Sequence, residues 1–137
     1  MTTQDQACAD TGRYVFVYGT LRRGEVNDIN LLRPAPKYLG AASIPGRLYS
    51  MGWYPGLVMD GCMAVVGEVY SVSHSVEQRL DEIEGLLPEP TGEYAKRELE
   101  IEVNGKLIRC FVYEIAPALV AHLEPLADGD WLARQPD

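Results

Sequence analysis

The chain has 137 residues, 47% of them hydrophobic, and its twenty acidic against twelve basic residues leave a formal net charge of −8. That length suits one domain with a real core and is too short for two. The acidic balance repels phosphate backbones, and no local basic patch beyond Arg22-Arg23 offsets it, so nucleic acid is not an expected partner.

Residues 1–12 are polar and read as a flexible tail, which leaves 13–137 as the single domain. Met1 to Thr11 lacks the basic-then-apolar build of a signal peptide, and no apolar run approaches the roughly 20 residues of a membrane helix. A cytoplasmic protein without a membrane partner is expected. The three cysteines are an odd number with no CxxC spacing. Cys62 and Cys110 sit in apolar strand-like runs and read as small core residues, and Cys8 falls in the tail. Neither a disulfide nor a structural zinc is expected.

The first strand is Tyr14 to Tyr18, an aromatic and β-branched run that stops at Gly19. Residues Asn27 to Leu32 fit one short helical turn, stopped by Pro34. Tyr38 to Ser43 reads as extended, broken at Pro45-Gly46 and resumed at Arg47-Leu48-Tyr49. Trp53 to Val58 is a loop carrying two aromatics ahead of a short strand, and Met63 to Val72 is a strong strand. Ser73 to Glu84 is the one clear amphipathic helix: Val76, Leu80 and Ile83 form its apolar stripe, Ser73 or Ser75 caps it, and Gly85 and Pro88 end it. In Tyr94 to Val103, Leu99, Ile101 and Val103 alternate with Glu98, Glu100 and Glu102. Asn104-Gly105 is a hairpin signal, and Lys106 to Glu114 is the return strand. Pro117 to Leu126 is apolar enough for a helix. Six or seven strands against two or three short helices predict an α+β domain, a small mixed, mainly antiparallel β-barrel.

Several chemistries fail on spacing. Gly19-Thr20-Leu21-Arg22-Arg23-Gly24 has two glycines at phosphate-loop spacing, but Glu25-Val26 stands where Lys and Ser or Thr are required. His74 and His122 have no ligand-like spacing to cysteine or carboxylate, so no metal site is expected, and neither lies near a nucleophile motif. What remains is a strand opening into a glycine loop whose bare N–H groups can hold a carboxylate or carbonyl. Beside it stand the acids of Leu80-Asp81-Glu82-Ile83-Glu84-Gly85, at a helix C-terminus where negative charge is less comfortable. Glu84, between Ile83 and the glycine turn, is the candidate to face inward with a pKa raised toward neutrality, as a general acid/base requires. Asp81 and Glu82 are expected on the solvated face. The plain alternative is a strand followed by a tight turn and a polar helix end.

Tyr18-Gly19-Thr20-Leu21-Arg22-Arg23-Gly24 resembles the signature of the gamma-glutamylcyclotransferase-like superfamily, also called AIG2-like. Leu80-Asp81-x-x-Glu84-Gly85, Tyr54-Pro55-Gly56 and Gly67-Glu68-Val69-Tyr70 are similar to further motifs of that family. Gly92-Glu93-Tyr94-Ala95 and Gly129-Asp130-Trp131-Leu132 resemble its small bacterial branch. Lys96 stands where many relatives carry the arginine of a Tyr-x-Arg, and Arg97 follows it. The resemblance runs from about residue 14 to 132. It implies a small β-barrel with one cavity, in which main-chain groups of Tyr18, Gly19, Thr20 and Leu21 bind substrate, Glu84 is the catalytic glutamate and Tyr94 closes over the pocket. The implied reaction releases 5-oxoproline and a free amine from a γ-glutamyl amine or peptide without metal or cofactor, in a monomer or weak homodimer. Two other readings stay open: a non-catalytic domain binding a small carboxylate or amide in the same pocket, and a domain working through a protein partner at Trp53-Tyr54.

Overall fold

The computed structural model of the protein describes residues 12–133. The expected tail, with Cys8, lies outside the described residues except for Gly12. The strands are β1 (Arg13–Val17), β2 (Lys37–Ser50), β3 (Pro55–Val72), β4 (Tyr94–Val103) and β5 (Lys106–Ile115), joined in one five-stranded sheet of order β2-β3-β1-β5-β4. Helix α1 is His74–Ile83 and the short α2 is Pro117–Val120, with 3-10 turns at Ile29–Leu31 and Trp131–Ala133. Only β1 and β5 run parallel; the other pairings are antiparallel.

The first strand takes the centre of the sheet because it is apolar on both faces. Val15, Phe16 and Val17 are all essentially without solvent exposure. Their alternation sends Val15 and Val17 into a core shared with Val76 and Leu80 of α1, and Phe16 into a second core with Leu48, Leu57, Val65 and Trp131. Ser73 accepts the Val76 N–H at 3.2 Å and so caps α1. Asn104 and Gly105 have φ of 51° and 84°, the left-handed pair a two-residue hairpin needs. Glu98, Glu100 and Glu102 are exposed opposite buried Ile101 and Val103, as the alternation predicts.

The barrel is a correction. The sheet is open, with β2 and β4 as its edges. It curls until the edges approach at one corner, where Asn104 Nδ2 donates to the Leu39 carbonyl at 3.0 Å. Between them lies a groove bordered by Ala41, Ala42, Ser43 and Glu102 rather than a backbone ladder. A single side-chain bond cannot replace the row of main-chain bonds that closure requires.

The strand number is also smaller than expected, because two predicted breaks do not break. β2 runs through Pro45-Gly46, and since β2 is an edge the missing proline N–H interrupts no ladder. β3 runs through to Val72, but its pairing jumps from Met63 opposite Gly46 to Val58 opposite Arg47, so residues 59–62 bulge out. Cys62 lies in that bulge and is exposed, contrary to expectation, whereas Cys110 is buried as expected. The C-terminal helix stops at Val120; beyond it the Leu126 N–H donates to the Leu48 carbonyl at 2.7 Å, tying an irregular segment to β2.

Candidate active site

Beyond β1 the chain enters a tight loop. Arg22 N–H donates to the Gly19 carbonyl at 3.0 Å, and the loop is stitched back on itself by Asn27 N–H to the Thr20 carbonyl and Ile29 N–H to the Leu21 carbonyl, both 2.9 Å. Gly19 is required by close approach, since a Cβ there would lie 2.4 Å from Pro55 Cγ. The main-chain N–H groups of Gly19, Thr20 and Leu21 have no acceptor among the described residues. Thr20 Oγ1 accepts from Asn27 Nδ2 at 3.2 Å, which leaves its own hydroxyl proton available.

Arg22 is not part of a surface basic patch. It is buried, with Nε 3.1 Å from Glu68 Oε2 and an η-nitrogen 2.7 Å from Asp130 Oδ1. Glu68 also accepts from the Arg23 N–H and the Tyr70 hydroxyl. Three separated sequence motifs therefore meet in one ion cluster that clamps the loop. Arg23, by contrast, is exposed and lies over the Tyr38 ring.

The second wall is the end of α1. Gly85 N–H bonds the Glu82 carbonyl at 3.1 Å and Leu86 N–H bonds the Asp81 carbonyl at 2.8 Å, with Gly85 at φ 79°. This is a Schellman ending, and it makes Glu84 the C-cap residue. Thr91 N–H then donates to the Gly85 carbonyl at 2.9 Å and closes the following loop. Glu84 borders the cavity, and no described group donates to its carboxylate. Burial first, and then the charge of Glu93, push its pKa up to about 7. Glu82 lies on the solvated face and pairs with Arg79. Asp81 departs from expectation: it is half-buried and accepts from Tyr113 at 2.7 Å and from Lys96.

Lys96 also reaches Glu77, which binds Arg13 as well, and Lys96 lies over the Phe111 ring. Lys96 thus anchors β4 to α1, while Arg97, on the opposite face of the strand, pairs with Glu114 at the surface.

Tyrosines frame the cavity. Tyr18 donates to the Tyr113 carbonyl at 2.7 Å and accepts from the Leu57 N–H at 3.3 Å, while Tyr94 donates to the Pro55 carbonyl at 2.7 Å. Tyr54 donates to Glu93 Oε2. Burial raises the pKa of Tyr18, Tyr94 and Tyr113, and the Glu93 hydrogen bond raises that of Tyr54 to about 12, so all four phenols keep their protons. Their hydroxyls already have protein acceptors. The cavity they enclose measures about 480 Å³ and is bordered by all six sequence-derived candidates, Tyr18, Gly19, Thr20, Leu21, Glu84 and Tyr94. That volume falls within the roughly 300–1,000 Å³ common for small-molecule sites.

The model of the gamma-glutamyl cyclotransferase, AIG2-like family matches residues 15–133. The chain belongs to that family. It is 34% identical over 122 residues to a putative gamma-glutamylcyclotransferase of Vibrio cholerae, covering 88% of this chain and 96% of that one. It is 35% identical to the gamma-glutamylaminecyclotransferase of Bos taurus, covering 85% of this chain and 74% of the relative. It is 44% identical over 71 residues to the gamma-L-glutamyl-butirosin B gamma-glutamyl cyclotransferase of Niallia circulans, but the match spans only 44% of that longer relative. Among solved structures, an AIG2-like protein of Mus musculus superposes with a TM-score of 0.64 at 25% identity over 91% of this chain and 85% of that one. Protein ytfP of Escherichia coli gives 0.60 at 32% identity over 88% of this chain and 96% of that one.

Four side chains at or beneath this cavity are absent from the sequence-derived candidates. Glu93 and Tyr54 form a pair across the cavity, and Asp81 with Tyr113 supports it from beneath. Glu93 lies beside Tyr94 in a motif already singled out, yet local pattern has no means of bringing it to Glu84 across an irregular loop.

Proposed function

We propose that the protein is an intramolecular cyclotransferase acting on a γ-glutamyl amine or peptide. The α-amino nitrogen of the γ-glutamyl unit attacks its own side-chain amide carbonyl. The new C–N bond closes a five-membered ring, the old C–N bond breaks, and 5-oxoproline leaves with a free amine. Protons given up by the α-ammonium end on the departing amine, and Glu84 carries them as general base and then general acid. The scheme calls for no metal or cofactor.

The observation that carries this reading is Glu84 itself: a carboxylate on the cavity wall with no donor among the described residues and a pKa of about 7. A group poised there takes and returns protons with little free-energy penalty in either direction. The acceptor-free N–H groups of Gly19, Thr20 and Leu21, with the Thr20 hydroxyl, are the donors we assign to the substrate's carboxylate and to the charge that develops on the attacked carbonyl. In this reading Tyr18 and Tyr94 shape the wall with their rings, since their hydroxyls hold the β3 end of the cavity.

The test is release of 5-oxoproline from γ-glutamyl amines, γ-glutamyl amino acids and glutathione by wild type and Glu84→Gln. Turnover in wild type that falls at least about a thousandfold in the folded variant is expected, as for loss of an essential acid/base in a preorganised site. A fully active glutamine variant overturns the role of Glu84. Silence across the panel, from a folded protein that still binds a small carboxylate, replaces the reaction with the binding-domain reading.

A further inference from the structure

The cavity is one-sided in charge. Glu84 and Glu93 both border it, and no lysine, arginine or histidine does so among the described residues. The two carboxylates are close enough for Glu93 to act electrostatically on Glu84. Each has a distinct environment. Glu84 has no donor among the described residues, whereas Glu93 is held in place from two sides. Its Oε2 accepts from Tyr54, and its carbonyl accepts the Ala116 N–H at 2.8 Å. The Glu93 Oε1 atom has no donor among the described residues. Trp53, 64% exposed, stands edge-on to Tyr54 with ring centroids 4.9 Å apart, and Leu119 completes this rim of the cavity. A fixed carboxylate with one free oxygen, beside exposed aromatic and aliphatic surface, is complementary to an alkyl chain that ends in a positive charge. A carboxylate-bearing group at the same place meets two negative charges and no cation.

Resting on the cyclotransferase reading above, we propose that Glu93, oriented by Tyr54, forms a leaving-group subsite that selects γ-glutamyl derivatives of aliphatic diamines or polyamines, whose departing amine carries a second ammonium and no carboxylate. In this arrangement the γ-glutamyl head lies toward the loop Gly19–Leu21 and Glu84, the methylene chain runs along Trp53 and Tyr54, and the distal ammonium donates to the free oxygen of Glu93. Binding of that ammonium is remote from the bond that breaks, so it acts as an anchor for the reacting centre.

Three substrates of matched chain length test it: γ-glutamyl-1,4-diaminobutane, the neutral γ-glutamyl-n-pentylamide, and the γ-glutamyl amide of 4-aminobutyrate, whose chain end is anionic. For wild type, kcat/KM for the cation is expected to exceed that for the neutral amide by about tenfold or more, the scale of one charge-assisted hydrogen bond, with the anion poorest. In Glu93→Gln the cation-to-neutral ratio should fall at least about fivefold, whatever happens to absolute rates, whereas Tyr54→Phe, which keeps the charge, should preserve a clear preference. Wild type showing no preference for the cation, or a preference that survives in Glu93→Gln, overturns the subsite. Equilibrium binding of the same three compounds to wild type and Glu93→Gln is measured by calorimetry alongside. If none of them yields 5-oxoproline, the reaction reading fails. The subsite then stands only if calorimetry still shows a cation preference that depends on Glu93, and falls if it does not.

Discussion

At the scale of single residues, Glu84 holds a charge that folding resists. Its carboxyl carries a pKa of about 7 against an ordinary 4.5, so the folded state favours the protonated form. The stabilisation this represents is fully present below about pH 4.5 and is lost as pH rises through about 7. The cost of ionising it is about 3 kcal/mol. Glu84→Gln should therefore melt close to wild type near pH 4 and above it near pH 8.5, a divergence read by thermal denaturation at the two pH values. Activity should run the other way. A base must be ionised in the free enzyme, so kcat/KM of wild type should climb through about pH 7 on its acid limb. An acid limb near pH 4.5 would show that the carboxyl is not buried as described. Local pattern names only part of the cause of that raised pKa. It credits the helix end and burial, whereas burial and Glu93 raise the pKa.

At the scale of elements, the placement of Glu84 depends on how α1 ends. The Schellman turn needs Gly85 at φ 79°, and a Cβ there would stand 2.9 Å from Thr91 Oγ1. Gly85→Ala should cost about 1–2 kcal/mol in chemical denaturation, and it should also lower kcat/KM by displacing the C-cap residue. Ser73→Ala at the other end of the helix makes the control. Losing its cap should cost about 1 kcal/mol and leave activity unchanged. Equal activity losses in the two variants would show that global stability, not the geometry of the turn, governs the site. The helix was legible because its stripe, its cap and its glycine all lie within one local stretch. The C-terminal segment was not, because its apolar residues pack against β2 and the sheet rather than along one helical face.

At the scale of the whole molecule, the cluster of Arg22, Glu68 and Asp130 joins the loop after β1, strand β3 and the segment before Trp131. Two carboxylates share one buried cation, so removing that cation leaves both facing each other. Arg22→Met should cost about 3–5 kcal/mol in urea denaturation, and adding Glu68→Gln to it should recover part of the loss. A loss below about 1 kcal/mol would show that the cluster is solvated and weak. The same segment covers the sheet closely: Val66 N–H donates to the Gly129 carbonyl at 2.9 Å, and a Cβ on Gly129 would lie 2.0 Å from the Ala64 carbonyl oxygen.

Elements whose causes are local follow from the amino-acid order alone. The central strand follows from its continuous apolar run, α1 from its stripe and caps, and the β4–β5 hairpin from Asn104-Gly105. That order also contains, in separated motifs, all six candidate residues that now border one cavity. Features that depend on partners far along the chain come from the tertiary structure. It left the sheet open because β2 and β4 meet at one side-chain bond and not along a ladder. It exposed Cys62 in a bulge that pairing register alone creates, and it drew Asp81 in beneath Lys96 and Tyr113. It also brought Glu93 to the same cavity as Glu84. Charge and burial act through space, and their consequences appear only once the chain has closed on itself.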